Sequence, residues 1–199
     1  MKKRLIAFSA GVLVLNSLYS PASIAAAPVD VTTTAQGLSY HFAHGTSGWK
    51  QEGTWQAQWG SPALESSQDT GKPTLKLNVE WAGRHDWEEV KIYNAEIPDF
   101  AQMRKLSFDI LLPAENISAG GLRPYAALRD GWVKLDLDKN NRDITGMEKV
   151  NLSGKAYLKQ HVVINLGDGS HRPDVAIGIV GNKLKYSGPV YLDNITFSK

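Results

Sequence analysis

The chain has 199 residues, a formal charge of +2, six tryptophans and no cysteine. This length suits one domain with a core that needs no disulfide staples, and the missing cysteines exclude thiol chemistry and a lipid-modified cysteine anchor. Lys2, Lys3 and Arg4 fall in a leader-like segment without acids, which leaves the remainder at −1 and without the basic stripe of a nucleic-acid-binding protein.

Residues 1–27 read as a secretory signal peptide. A basic start precedes a short apolar run from Leu5 to Leu15, and Ala25, Ala26 and Ala27 offer small residues for cleavage. The run is too short and wrongly flanked for a membrane span. The expected product is an exported bacterial protein, periplasmic or extracellular, monomeric and without a membrane anchor. Residues 28–38 are Thr-rich and polar, and read as a linker or disordered start. Residues 39–199 form the expected domain.

Within it, short apolar alternations recur between Gly, Pro, Asn and Asp, and no window sustains a helical period. That pattern predicts an all-β sandwich. Strands are expected at 39–42 and 55–59, then at 74–81, where Leu75, Leu77, Val79 and Trp81 share a face. The next, at 87–93, points Val90 and Ile92 inward and sets Trp87, Glu89, Lys91 and Tyr93 on the other side. Further strands follow at 106–111 and at 122–128, where Arg123 and Tyr125 oppose Leu122, Ala126 and Leu128. In 132–138, Trp132, Lys134 and Asp136 oppose Val133, Leu135 and Leu137; strands at 161–166 and 175–180 complete this run. In the last stretch, 190–197, the alternation slips by one at Asp193-Asn194, which signals a β-bulge.

Tryptophan is the unusual residue, because an aromatic plane matches the apolar C–H face of a pyranose while polar neighbours bind its hydroxyls. Trp132 and Trp87 stand on polar strand faces and are candidate platforms, with structural packing as the alternative. Trp55 and Trp59 are either a stacking pair or one wall of the core. Trp81 is in phase with core positions, and Trp49, after Gly48, reads as a core anchor. Around the platforms, Tyr125, Arg84, Arg123, Glu89, Lys134 and Asp136 are the candidate partners of sugar hydroxyls. Catalytic patterns are missing: there is no nucleophile elbow, no zinc-binding His pair and no phosphate loop. Glu88 and Glu89 are adjacent in a strand and so point to opposite faces. Asp136, Asp138 and Asn140 resemble the start of a calcium loop, but Asn141 and Met147 stand where it needs Gly and Glu.

Three stretches carry a family resemblance: YHFAHGTSGW at 40–49, LKLNV at 75–79 followed by WEEV at 87–90, and VGNKLKYSGPVYLDN at 180–194. Their order is similar to that of the mannan-binding modules attached to bacterial mannanases, which are galactose-binding-like β-sandwiches. The resemblance implies a jelly roll that binds β-mannan-type polysaccharide through tryptophans in a concave groove. It also implies a structural calcium held by the closing-strand aspartate, here Asp193, and by acids of the opening strand. At that second place this chain has His41, Ala43 and His44 instead. The expectation is a non-catalytic carbohydrate-binding protein. The alternatives are a jelly-roll polysaccharide lyase or glycoside hydrolase using Tyr125, His161, Arg123 or a carboxylate pair, and a protein-interaction module.

Overall fold

Period-two alternation gives most strands one dry face, and two antiparallel sheets close those faces against each other. The computed structural model describes residues 30–115, 117–129, 131–167 and 174–199, so the leader-like segment 1–27 lies outside the described residues. In chain order the strands are β1 (Val31–Thr34), β2 (Gly37–Tyr40), β3 (Lys50–Trp55), β4 (Gln58–Ser67), β5 (Thr74–Ala82), β6 (Glu88–Asn94) and β7 (Lys105–Pro113). They continue with β8 (Gly121–Leu128), β9 (Val133–Leu135), β10 (Arg142–Asp143), β11 (Glu148–Leu152), β12 (Lys155–Asn165), β13 (Val175–Asn182) and β14 (Lys185–Ser198).

Eight strands form the first sheet in the order β1-β2-β14-β7-β12-β11, with β5 also on β14 and β4 outside β5. Six form the second, β10-β8-β13-β6-β3, with β9 also paired to β8. Between them lies one core, to which β5 gives Leu75, Leu77, Val79 and Trp81, β6 gives Val90 and Ile92, and β13 gives Val175, Ile177 and Ile179. Each fully buried aliphatic side chain contributes about 1.5–3 kcal/mol relative to exposure. Trp49 joins this core as expected, its ring meeting Tyr40 edge-on. The bulge in β14 is present: the register on β7 shifts between Asp193 and Thr196.

Three expectations change. Residues 28–38 are not a linker throughout, because β1 pairs with β2 from Val31↔Tyr40 to Thr34↔Gly37 and β2 pairs with β14. An exposed edge strand needs no apolar side chains, and threonine suits extended backbone. Residues 55–59 are not one strand, because Gln56 is left-handed (φ 56°) and turns the chain from β3 in the second sheet to β4 in the first. Likewise the expected strand at 132–138 keeps only Val133–Leu135, since Trp132 and Asp136 are both left-handed (φ 54° and 50°).

Candidate functional site

The outward face of the second sheet is where the charged and aromatic residues collect. Directly opposed residues of antiparallel strands project to the same side, so the register defines three rows. The first is Arg123, Val180, Glu89 and Trp55. Tyr125, Gly178 and Lys91 make the second. Lys134, Ala127, Ala176 and Tyr93 make the third. Small residues on β13 and β8 form the floor, and Trp87, Tyr93 and Leu137 pack around it.

Tyr125 lies flat across this floor because position 178 has no side chain. A Cβ on Gly178 would stand 2.7 Å from the tyrosine oxygen and closer still to ring carbons Cε1 and Cζ. The ring thereby crosses β13, and its hydroxyl donates a short hydrogen bond to Glu89 Oε1 on β6. Burial, then the Glu89 carboxylate, push the Tyr125 phenol far above its ordinary range, so it stays a neutral donor. Lys91 Nζ stands 3.5 Å from the other Glu89 oxygen.

Trp87 lies beside this group, its ring centroid 6.1 Å from that of Tyr125. Its place is set by Glu88, whose side chain is fully buried on the opposite side of β6. The two Glu88 oxygens accept the backbone N–H groups of Gly83, Arg84 and His85 and so tie down the loop that delivers Trp87. Burial alone would raise the Glu88 carboxyl, but these N–H groups outweigh it and hold the carboxyl below its ordinary range. Adjacent glutamates thus divide the work, one holding the loop and one facing the site.

Cations cover the rings. Lys134 Nζ is 4.4 Å from the Trp87 centroid and 5.1 Å from that of Tyr125, and the Arg123 guanidinium is 5.7 Å from Trp87. At the other end Arg129 sits 4.3 Å over Tyr93 and 5.8 Å from Trp132, with Lys91 5.3 Å from Trp132. All lie within the range of cation–π attraction. Arg129 is fixed by two acids: its Nη1 donates to Asp174 Oδ1 at 3.0 Å, and its Nε lies 3.3 Å from Glu52 Oε1. Burial raises the Glu52 carboxyl, against the pull of Arg129 and Lys91. Glu52 Oε2, Arg123 Nε and Arg129 Nε are buried without a hydrogen-bond partner among the described residues. Trp132 and Trp55 stand 46 % and 60 % exposed, as a stacking surface requires.

The expected site residues Trp87, Trp132, Tyr125, Arg123, Glu89 and Lys134 therefore meet on one face. Arg84 stands exposed in the loop that Glu88 holds. Trp59 does not join them. It enters β4 of the other sheet, packs against the main core, and donates its indole N–H to the Glu52 carbonyl at 3.0 Å. Asp136 does not join them either. Its left-handed backbone ends β9, and its carboxylate accepts the Asn165 N–H at 2.9 Å and Lys139 Nζ at 3.4 Å. Arg129, Glu52 and Asp174 were missing from the expected site, and Trp55 was offered only as half of a stacking pair with Trp59. Arg129 was within reach, being in phase with Arg123, Tyr125 and Ala127.

Asp193 lies in the other sheet, and its surroundings do not suit calcium. Its Oδ2 is 2.6 Å from the Lys72 ammonium, and Oδ1 accepts the Asn194 N–H at 2.8 Å. Of the opening-strand residues, His41 contacts Thr32 and His44 pairs with Asp30. Among the described residues no three His, Asp or Glu side chains gather as a metal site. A hard divalent cation takes six to eight oxygens, and here the nearest carboxylate is already matched to an ammonium.

A family model described as carbohydrate binding module 27 matches residues 32–199. Among solved structures, TmCBM27, a carbohydrate-binding module studied for specific mannan recognition, gives a TM-score of 0.76 at 36% identity, covering 81% of this chain and 95% of that one. Caldicellulosiruptor saccharolyticus CBM27-1, solved with mannohexaose, gives 0.66 at 20% identity over 83% and 98%. A CBM28 module specific for non-crystalline cellulose gives 0.58 at 15% identity over 84% and 95%. The last two share the fold. No curated protein matches the chain. With both sheets and their outward face inside the matched span, the chain belongs to the carbohydrate binding module 27 family, whose members bind carbohydrate and are not catalysts.

Proposed function

We propose that this module binds a β-mannan-type polysaccharide along the outward face of the second sheet. Trp87, Trp132 and Trp55 supply stacking surface. Tyr125, Glu89, Arg123, Arg129, Lys91, Lys134 and Arg84 bind hydroxyls. The observation that carries this reading is the convergence of exposed rings and fixed polar groups over a floor of Ala127, Ala176, Gly178 and Val180. From the row of Arg123 to Arg129 the face runs about 20 Å, long enough for several sugar units. The 36%-identical relative is described for specific mannan recognition, which favours mannan over other glycans.

Lys134 lies on the Trp87 ring in this structure, so an arriving sugar takes the ring face and the ammonium turns to its hydroxyls. Such open sites are weak, with dissociation constants in the micromolar range or above, about −8 kcal/mol or smaller in magnitude. The protein acts as an exported monomer, in the periplasm or outside the cell. Affinity electrophoresis through gels with glucomannan, galactomannan or xylan tests the ligand. Retardation by the two mannans alone is expected, and Trp87→Ala should remove it. Equal migration in every gel would overturn the assignment.

A further inference from the structure

Where β14 passes from one neighbour to another, the first sheet has a gap. β14 pairs with β5 as far as Leu192 and with β2 from Thr196 onward. Between them, Asp193 and Asn194 have a strand only on the β7 side among the described residues. The bulge places its extra residue here, with Asn194 left-handed at φ 53°. It also sets Asp193 directly opposite Asp109, with both residues buried (8% and 4% exposed). Like charges opposed across a ladder repel, and a buried carboxylate is costly unless it is paired.

Asp109 is amply served, by Asn194 Nδ2 and His161 Nδ1 at 2.7 Å each and by Lys159 Nζ at 3.3 Å. For Asp193 the positive charge comes from Lys72, in the turn before β5. Its ammonium is 2.6 Å from Asp193 Oδ2 and donates to Asn194 Oδ1 at 3.4 Å. It therefore binds both residues of the bulge at once. The crevice around it is closed by Pro73 and by Tyr40, His41 and Ala43 from the end of β2 and the residues after it, none of them acidic.

We infer that Lys72 is the built-in cation of this corner, standing where the family resemblance leads one to expect calcium, so that the module folds without a divalent ion. The lysine arrives with its own chain, and its single charge matches the single carboxylate left to neutralise. Because the corner belongs to the first sheet, this inference stands apart from the ligand assigned to the second.

Thermal unfolding of the whole mature protein tests it, in EDTA and in millimolar CaCl2. The wild type should show one Tm in both, and calorimetric titration with CaCl2 should give no binding heat. Lys72→Met keeps most of the stem and removes the charge. It should lower Tm by about 2–4 °C in both buffers, while Lys72→Arg should retain the wild-type value. A wild-type Tm that rises in CaCl2 would overturn the inference, as would Lys72→Met unfolding at the wild-type temperature in EDTA.

Discussion

Substituting Gly178→Ala perturbs the proposed site without replacing any of its polar side chains. The added methyl would meet the Tyr125 oxygen at 2.7 Å and two ring carbons closer still. Carbon atoms in contact prefer about 3.5–4.0 Å, so the ring has to lift by about 1 Å or more. It cannot swing freely, because its hydroxyl is tied to Glu89 and its face lies under Trp87 and Lys134. Overpacking of this kind costs about 1–3 kcal/mol, offset by about 0.5–1 kcal/mol because alanine suits a strand interior better than glycine. The net loss is about 0.5–2 kcal/mol, with Tm lower by about 2–4 °C per kcal/mol in a domain of this size. Affinity should fall about tenfold, the equivalent of 1.4 kcal/mol, since the lifted ring disturbs the floor beneath the platform. A double-mutant cycle read by calorimetric unfolding and titration with mannan oligosaccharides isolates the cause. With Tyr125→Ala already in place, Gly178→Ala should be neutral or stabilising, giving a coupling of about 1–2 kcal/mol. Additive effects, or a single variant that binds and unfolds like the wild type, would refute the argument that the glycine exists to seat the ring.

Trp132→Ala should abolish retardation in mannan gels yet change stability by about 0.5 kcal/mol or less, because the side chain is half exposed. Trp81→Ala, from a ring buried in the core, should cost about 3–5 kcal/mol in denaturant unfolding. Glu88→Gln turns an amide toward the N–H groups of the loop and should cost about 1.5–3 kcal/mol at neutral pH, with weaker binding because Trp87 follows that loop. The folded Glu88 carboxyl lies below its ordinary 4.5, so its contribution is full above that value and lost as pH falls through the lower folded one. The gap in Tm between wild type and Glu88→Gln should accordingly close in acid, and a gap unchanged by pH would contradict the carboxylate's role.

Period-two alternation by itself determined a good deal of this protein. It set which side of its own strand each of Leu75, Leu77, Val79 and Trp81 takes, and it separated Arg123, Tyr125 and Glu89 from the core. It also located the bulge at Asp193-Asn194, because an inserted residue must shift the apolar phase. The same reasoning failed at three left-handed residues. Gln56, Trp132 and Asp136 look like ordinary strand positions in one letter each, yet their backbone turns the chain. Trp59 therefore went to the other sheet, and Asp136 turned its carboxylate to the Asn165 N–H.

Which strands lie side by side was decided only in three dimensions. Trp55 reaches Glu89 because β3 takes the edge beside β6, and Arg129 finds Glu52 and Asp174 from two remote segments. Parity along a strand is a local property, fixed by the geometry of successive residues. Neighbourhood across a sheet depends on long-range pairing, which no short window of sequence contains. Lys72 shows the difference: in sequence it is a turn lysine, and only the gap between β2 and β5 makes it the counterion of an aspartate 121 residues further on.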